Sequence, residues 1–306
     1  MSSLSGGNAI VGGIPTVPLD VPINAVLVVL YLAGSAYNIT TFIRNKRRGH
    51  KFIMSLMLNG LCVIRILTCS MRIAWAANPT KSSIITAAQA LNTAGIIIIY
   101  IINLVLGQRI LRARQPAIGW NPVLGLLFKV FYALIVGALI MGIVALVLLV
   151  TTTNPKILPA CHYIQMAAVT LLLVMTVLPL VLLAITYLLP PSPHRDEFGQ
   201  SRMAHKVIVL ITSTCLAMTY AGFKAGTAWD ARPQGHPAWF DSKAAFYVFG
   251  FTLEILILCL FAFTRIDRRF HIPDNCKGPG DYSGEAGYMM QGSADKERET
   301  PDVSSE

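Results

Sequence analysis

Two formally charged residues, Arg65 and Glu254, stand near the middle of long apolar stretches of this sequence. A charge at bilayer depth costs roughly 2.5 to 3.5 kcal/mol on insertion scales, so such residues usually pair inside a helix bundle or line the path of a ligand or ion. The chemistry that these residue types allow is therefore ion pairing, proton transfer or recognition of a polar ligand inside a membrane.

The elements that must position these charges are seven apolar stretches. The chain of 306 residues is 54% hydrophobic and only 13% charged, with a mean hydropathy of +0.59, which is too apolar for a soluble domain of this length. About 20 residues of helix cross the hydrocarbon layer, and continuous rather than alternating apolar runs exclude a β-barrel. We expect an all-α bundle of seven transmembrane helices, near 21–43, 52–77, 84–106, 130–151, 164–189, 207–223 and 243–264.

The distribution of basic residues predicts the orientation of this bundle. Fifteen Lys and Arg residues fall at the span ends on one side, against four on the other. The clusters are Arg44 to Lys51, Arg109 to Lys129, Arg195 to Lys206 and Arg265 to Arg269, opposite Lys81, Lys156, Lys224 and Arg232. Because cytoplasmic loops are enriched in Lys and Arg, we expect the N-terminus outside and the C-terminus in the cytosol. The net charge of +10 is thus mostly a topology signal, and no nucleic-acid partner is expected.

The predicted second span has a polar face that carries one of the two charges. Steps of three and four residues place six side chains on one side of a helix: Ser55, Asn59, Cys62, Arg65, Cys69 and Arg72. At 1.5 Å per residue, Arg65 and Glu254 lie about 20 and 15 Å from the cytosolic ends of their helices. We predict an ion pair between them that joins spans two and seven. Arg72 is predicted either to snorkel to the outer headgroups or to face Asp241.

The polar interior has a structural and a functional interpretation. Buried ion pairs often fix helix register without binding anything, and amides such as Gln89 and Asn92 in span three often form hydrogen bonds between membrane helices. The functional interpretation is a site for a small ligand or a proton inside the bundle. Its candidate residues are Arg65, Glu254, Arg72, Asn59, Gln89 and Asn92.

Signatures of catalysis are missing from the sequence. All six histidines fall in loops or at span ends, so no His cluster indicates an intramembrane metal site. No Gly-x-Ser-x-Gly elbow or phosphate-binding glycine loop occurs either. We expect neither an enzyme nor a bound metal or cofactor.

The ends of the chain differ in composition from the bundle at 21–264. Residues 1–20 are small and polar and are expected to form a short extracellular segment. The segment 265–306 becomes rich in Gly, Ser, Asp and Glu from about Ile272 and is expected to be a cytosolic, largely disordered tail. In this tail, Thr300 and Ser304 are candidate phosphorylation sites, and Cys276 is expected to remain an unmodified thiol.

The layout of the chain resembles a fungal family of seven-helix integral membrane proteins of unknown function, whose members are sometimes labelled family C-like receptors. The resemblance covers 21–273 and rests on the basic segment Arg44 to Lys51 and on the sequence Trp239 to Phe249 that opens span seven. A weaker likeness is to the RTA-like lipid-translocating exporters, because Phe246 to Phe249 is similar in type to the aromatic-rich opening of their last span. Gly107-Gln108-Arg109 departs from the Asp-Arg-Tyr motif of rhodopsin-like receptors, and the chain lacks the large ectodomain of family C receptors.

These patterns predict a receptor-like membrane sensor whose polar interior, lined by spans two, three and seven, accepts a small ligand. The expected partners are the lipid bilayer and a cytosolic signalling protein that contacts the basic loops, and the plasma membrane is favoured over internal membranes. The alternative is a transporter or lipid translocase of the RTA-like type that uses the same interior as a path.

Overall fold

The computed structural model describes residues 9–49, 51–152, 154, 157–190, 192, 196–233, 235–273 and 276–283. Over these ranges the chain is helical and no β-strand is found. Seven segments are long and apolar enough to cross a membrane, which indicates a multi-pass membrane protein and confirms the predicted seven-helix fold. Which end of the chain faces the cytosol stays a prediction.

Five of the seven spans are single helices, and two are interrupted. The single helices are α1 Val17–Arg47, α2 Ile53–Ala77, α6 Pro122–Thr151, α7 Ile157–Leu188 and α8 Met203–Trp229. Span three consists of α3 Ser82–Ala94 and α4 Ile97–Arg114, followed by the short α5 Pro116–Gly119. Span seven consists of α9 Lys243–Tyr247, a π-helical segment Val248–Thr252 and α10 Leu253–Phe263, followed by the short α11 Ile266–Arg269.

Local sequence explains where several helices begin. Pro122 opens α6, and the side chain of Asn121 accepts a hydrogen bond from the Val123 amide at 2.9 Å. Ser242 caps α9 in the same way through the Ala245 amide at 3.2 Å. Proline in the first turn and Ser or Asn at the cap satisfy backbone donors that have no partner within the helix.

Helix α4 lies at the centre of the bundle. It packs against α2, α6, α7 and α8, while α1 packs mainly on α2, and α10 on α8. By contrast, α1 and α6 expose large apolar side chains such as Val26, Val29, Ile140 and Val144. Such a wide exposed apolar surface fits lipid as the surrounding solvent.

The two ends of the bundle differ in charge. The basic end, as we call it, holds the described residues of the connections α1–α2, α4–α6 and α7–α8 and of the segment after α10; the opposite end, here the far end, holds 9–16 and the described residues of the connections α2–α3, α6–α7 and α8–α9. Several predicted boundaries shift at the far end. Helix α1 begins at Val17 and so includes Asp20, which had been assigned to the N-terminal segment, and α8 continues to Trp229, so Lys224 is a helical residue rather than a loop residue.

The segment after span seven folds back onto the basic end. Tyr282 is buried, with ring centroids 5.4 Å from Trp120 and 5.7 Å from Phe198. Asp196 accepts hydrogen bonds from the Gly280 amide at 3.0 Å and the Ser283 hydroxyl at 3.1 Å. Residues 276–283 thus differ from the predicted disorder, because aromatic packing and these hydrogen bonds hold them on the bundle. Thr300, Ser304, Lys156 and Arg195 lie outside the described residues.

Cys276 is half-buried in this packed segment, and its Sγ lies 3.0 Å from the carbonyl oxygen of Pro273. Burial raises the pKa of its thiol. A thiol held in its protonated form is a poor nucleophile, which fits the expectation that Cys276 remains unmodified.

Candidate functional site

The centre of the bundle contains the predicted ion pair. The Arg65 guanidinium of α2 makes two hydrogen bonds to the Glu254 carboxylate of α10: Nε donates to Oε2 at 2.5 Å, and Nη2 donates to Oε1. Both side chains are fully buried. Two parallel hydrogen bonds of this kind are the strongest arrangement for an Arg and a carboxylate. The structure confirms that spans two and seven are joined by Arg65 and Glu254.

The interruption of span three gives Arg65 its third partner. Arg65 Nη1 donates to the backbone oxygen of Asn92 at 3.1 Å and to its side-chain oxygen at 3.2 Å, next to the break between α3 and α4. A Cβ atom on Gly95 would lie 2.7 Å from Arg65 Nε and 2.8 Å from Cζ. The break therefore needs glycine for close approach, because the guanidinium packs directly on the backbone at this point.

Aromatic residues enclose the pair. The Arg65 guanidinium lies 5.2 Å from the ring centroid of Phe251, within the range of a cation–π contact. Tyr31 and Tyr220 are fully buried, and the electrostatic field of the pair reaches both of them. Tyr31 directs its hydroxyl towards the Phe251 carbonyl at 3.5 Å, at the outer limit of hydrogen-bond geometry. The buried pair thus has aromatic residues among its neighbours.

Two further polar groups lie beside the pair. The Tyr220 hydroxyl is buried next to the Arg65 side chain and interacts with it, but it makes no hydrogen bond of normal geometry to any described residue. One helical turn further along α8, the Lys224 amine lies 6.0 Å from the Tyr220 ring centroid and within the electrostatic reach of Arg65 and Glu254. No carboxylate among the described residues forms an ion pair with Lys224. A cation within a membrane span is costly without a counter-charge, so the half-buried Lys224 requires an explanation.

Span seven approaches the pair through an irregular turn. The π-helical segment Val248–Thr252 immediately precedes Leu253 and Glu254, and the Thr252 hydroxyl bonds back to the Tyr247 carbonyl at 3.3 Å. Such π-helical turns are often found at functional sites. Here the extra residue per turn brings Phe251 over Arg65 while Tyr247 contacts a different cluster.

That second cluster closes the far end around Asp20. The buried Asp20 carboxylate accepts hydrogen bonds from Lys243 Nζ at 2.5 Å, the Tyr247 hydroxyl at 2.7 Å and Arg72 Nη2 at 3.2 Å. Arg72 also donates to the Gly12 carbonyl at 2.9 Å and lies 4.1 Å from the Phe246 ring centroid. The N-terminal segment is thereby tied across the mouth of the bundle.

The structure places the six candidate residues at four separate positions. Arg65, Glu254 and Asn92 come together. Arg72 belongs to the far-end cluster, so the predictions that it snorkels or faces Asp241 are wrong: Asp20 supplies a buried carboxylate, and solvation by headgroups is not needed. Asn59 accepts a hydrogen bond from the Ser35 hydroxyl of α1 at 2.7 Å, and the half-buried Gln89 side chain has no hydrogen bond to any described residue.

Sequence reasoning missed several residues of these clusters, among them Asp20, Tyr220, Lys224, Lys243 and Tyr247. Asp20 and Lys224 stand at the edges of hydropathy windows, where charged residues are ordinarily assigned to loops. Tyr220 carried no charge to mark it. Tyr247 was part of the aromatic sequence Trp239 to Phe249, but only as a point of resemblance.

Further polar groups continue from the pair towards the basic end. The Asn103 side-chain oxygen accepts a hydrogen bond from the Ser213 hydroxyl at 2.8 Å between α4 and α8. The Asn103 amide nitrogen and the Thr214 hydroxyl are buried without partners among the described residues. Arg109, the next charged residue along α4, donates to the Phe270 carbonyl at 2.5 Å.

Comparison with known proteins gives one family match. A family model described as "Protein of unknown function (DUF3112)" matches residues 116–205 and 199–271, which together cover just over half of the chain. The matched part includes Tyr220, Lys224 and Glu254 but not Arg65. No curated protein and no solved structure matches the chain.

Proposed function

The chain belongs to the DUF3112 family of proteins of unknown function, and we propose that it is a receptor-like membrane sensor in which a small ligand inside the bundle alters the Arg65–Glu254 pair. The observation that carries this proposal is the position of two further donors beside the pair: the Tyr220 hydroxyl next to Arg65, and the Lys224 amine, which forms no ion pair with a described carboxylate. A ligand that offers a carboxylate or another strong acceptor would satisfy both donors.

The same ligand would compete with Glu254 for Arg65. A ligand shifts a conformational equilibrium only by as much as its affinity differs between the two states. An acceptor bound at Tyr220 and Lys224 interacts with the Arg65 guanidinium more strongly when Glu254 has moved away. Its binding would therefore favour a state in which spans two and seven are no longer locked together.

Span seven provides the route of transmission. Its π-helical segment Val248–Thr252 can convert to regular helix by a shift of one residue, which would rotate Glu254 away from α2. Helix α10 ends at Phe263, and the short α11 follows at the basic end after a two-residue turn in which Arg265 has a φ of +50°. The proposed partner is a cytosolic signalling protein that reads this movement on the basic loops, with the protein in the plasma membrane, N-terminus outside.

A second candidate function is a lipid translocase. The observation that favours it is the series of polar groups that extends from the buried Arg72 through the buried Arg65 and Asn103 to the half-buried Arg109. A path for a polar lipid headgroup would need polar groups at every depth of the bundle. A lock formed by the Arg65–Glu254 pair would need them only at the depth of that pair. Neither candidate function involves a covalent step by the protein.

Proximity labelling from the predicted cytosolic end tests the sensor. A labelling enzyme fused after Glu306 is compared in the wild type, in Glu254→Gln, which opens the lock, and in Asp230→Asn, which neutralises an exposed acid of the far end. The double variant Arg65→Met with Glu254→Met serves if Glu254→Gln does not accumulate. The sensor requires labelled signalling proteins that change with Glu254→Gln but not with Asp230→Asn.

Lipid movement separates the two functions. The protein is reconstituted into vesicles that contain a fluorescent phosphatidylcholine. A quencher is then added outside the vesicles, and the loss of fluorescence from each leaflet is followed over time. Translocation in the wild type that Glu254→Gln abolishes, together with unchanged labelling, would contradict the sensor and support the translocase.

A further inference from the structure

Two adjoining cavities at the basic end are lined by cations without acidic partners. The smaller, of about 210 Å³, is lined by Lys51, Arg109 and Arg112, and the larger, of about 550 Å³, by Arg112, Lys129 and Lys277. Arg112 and Cys276 line both. None of these five cations forms an ion pair with any carboxylate in the described ranges. We call the two cavities together the basic cavity.

Arg112 is held in place at the centre of the basic cavity. Its Nε donates to the Gly119 carbonyl at 3.2 Å, and its guanidinium lies 4.5 Å from the ring centroid of Trp120. A Cβ atom on Gly119 would lie 2.6 Å from the Arg112 Cα atom, so the backbone of α5 packs tightly against it. A fixed, stacked guanidinium recognises phosphate or carboxylate at a lower entropic cost than a mobile one.

The larger cavity also contains uncharged donors. The indole Nε1 of Trp120 is buried without a partner among the described residues. The Gln108 side-chain oxygen accepts a hydrogen bond from the Tyr132 hydroxyl at 3.0 Å. The NH₂ group of Gln108 therefore remains available as a donor. The first turn of α6, including Gly125, forms part of the wall and adds the partial positive charge of a helix N-terminus. Every polar contribution noted here favours an anion.

The position of the basic cavity selects the kind of anion. It lies where α4 ends at Arg114 and α6 begins at Pro122, so its mouth is at the level of the membrane headgroups. Trp120 and Tyr132, amphipathic side chains typical of that level, form its walls. Basic pockets between membrane helices are suited to the phosphorylated headgroups of anionic lipids.

We infer that the basic cavity binds the phosphate group of an anionic phospholipid headgroup. Arg112, which lines both cavities, binds the phosphate. Lys129 and Lys277 bind it from the wall of the larger cavity, and the Trp120 indole donates a hydrogen bond to it. This inference does not depend on the sensor, because the basic cavity shares no residue with the Arg65–Glu254 pair. Bound lipid would stabilise the folded segment 276–283, which forms one wall.

Lipid retention in nanodiscs tests this inference. The full chain is reconstituted in phosphatidylcholine discs containing a small fraction of phosphatidic acid, and lipids retained after transfer to detergent are identified by native mass spectrometry. The variant Lys129→Gln with Lys277→Gln removes two exposed amines, and Arg112→Gln is the stronger second variant. The matched control, Lys46→Gln with Arg47→Gln, removes the same charge from the same face but outside the cavity.

We expect the wild type and the control to retain phosphatidic acid in preference to phosphatidylcholine. Removing two cations should weaken this retention by about tenfold or more, and Arg112→Gln should weaken it further. Equal losses in the cavity variant and the control would overturn the inference, because only the charge of the face would then matter.

Two further arms identify the source of the phosphate. Glycerol 3-phosphate, which lacks acyl chains, is added in place of phosphatidic acid; strong binding of this free compound would overturn the lipid assignment in favour of a soluble phosphate. A chain ending at Ser283 removes the acidic residues of 284–306. If phosphatidic acid is retained only by this shortened chain, the acidic residues of 284–306 are what bind in the basic cavity of the full chain. That result would likewise overturn the inference.

Discussion

Arg65 and Arg112 are two guanidinium groups that contact aromatic rings, in opposite electrostatic situations. Arg65 lies in the middle of the bundle with the Glu254 carboxylate bound to it through two hydrogen bonds, whereas Arg112 lies against Trp120 with no ion-pair partner among the described residues. The fully buried Arg65 would be costly without a counter-charge, and Glu254 supplies it. At the headgroup level water and lipid phosphates can supply it, and cations can remain open for a partner.

The far end lies between these two situations. Asp20 is buried and faces both Arg72 and Lys243, so here two cations share one carboxylate. The comparison predicts that removal of a charge costs most where compensation is complete and burial deepest. The cost in free energy of unfolding should be smaller in the far-end cluster, and smallest for polar groups without a hydrogen-bond or ion-pair partner among the described residues.

The largest effect is expected for Glu254→Gln. Without the carboxylate, Arg65 stays buried and unpaired, and the free energy of unfolding should fall by about 3 to 5 kcal/mol. Thermal unfolding in detergent, followed through the exposure of buried cysteines such as Cys62 and Cys69, measures the loss. The double variant Arg65→Met with Glu254→Met should recover most of the stability, and a double variant that is worse than either single would contradict the pairing.

Gly95→Ala tests the close approach of Arg65 to the break in span three. The new Cβ atom would lie 2.7 Å from Arg65 Nε, and overpacking of this kind should cost about 1 to 3 kcal/mol. Gly137→Ala is the matched control, because a Cβ atom there meets nothing within 4 Å. The control should be neutral or slightly stabilising, and equal effects at both positions would show that the guanidinium does not depend on the break.

Asp20→Asn should loosen the far end. Charge-assisted hydrogen bonds from Lys243, Tyr247 and Arg72 are weakened together, at a cost of about 1.5 to 3 kcal/mol. Hydrogen exchange of the amides in 9–20 should accelerate by about tenfold or more. Asp230→Asn breaks a surface pair with Arg232 in which both side chains are about half exposed, so it should change neither stability nor exchange measurably.

The fold and the central pair could be predicted from the sequence because each depends on a strong, local signal. Continuous apolar runs mark the spans, and charges at bilayer depth require partners, so Arg65 and Glu254 were matched by depth alone. The far-end cluster depends instead on the N-terminal segment folding back, with Gly12 at a φ of +82° against Phe246. No periodicity encodes that contact, and hydropathy gave no reason to bring Asp20 into the bundle.

The break in span three shows the same limit on a smaller scale. Gly95 and Ile96 interrupt a mainly apolar run that contains no charged residue and no proline, so composition predicts one continuous helix. The break is favoured by Arg65 of span two, because its side chain donates a hydrogen bond to the Asn92 carbonyl next to the break. Tertiary contact decides the backbone here, and a single helix considered by itself cannot show it.

The smallest effect on stability, and the sharpest test of the comparison, is expected for Tyr220→Phe. The Tyr220 hydroxyl makes no hydrogen bond of normal geometry to a described residue, so its removal should change the free energy of unfolding by less than about 0.5 kcal/mol. Tyr247→Phe, which removes a hydroxyl that bonds to Asp20 and Asn24, should cost about 1 kcal/mol by the same thermal measurement. A large loss in Tyr220→Phe would mean that this hydroxyl already supports the Arg65–Glu254 pair and is not free for a ligand. If its stability is unchanged, loss of the state-dependent proximity labelling would place Tyr220 in recognition, since the hydroxyl would then contribute to ligand binding and not to the fold.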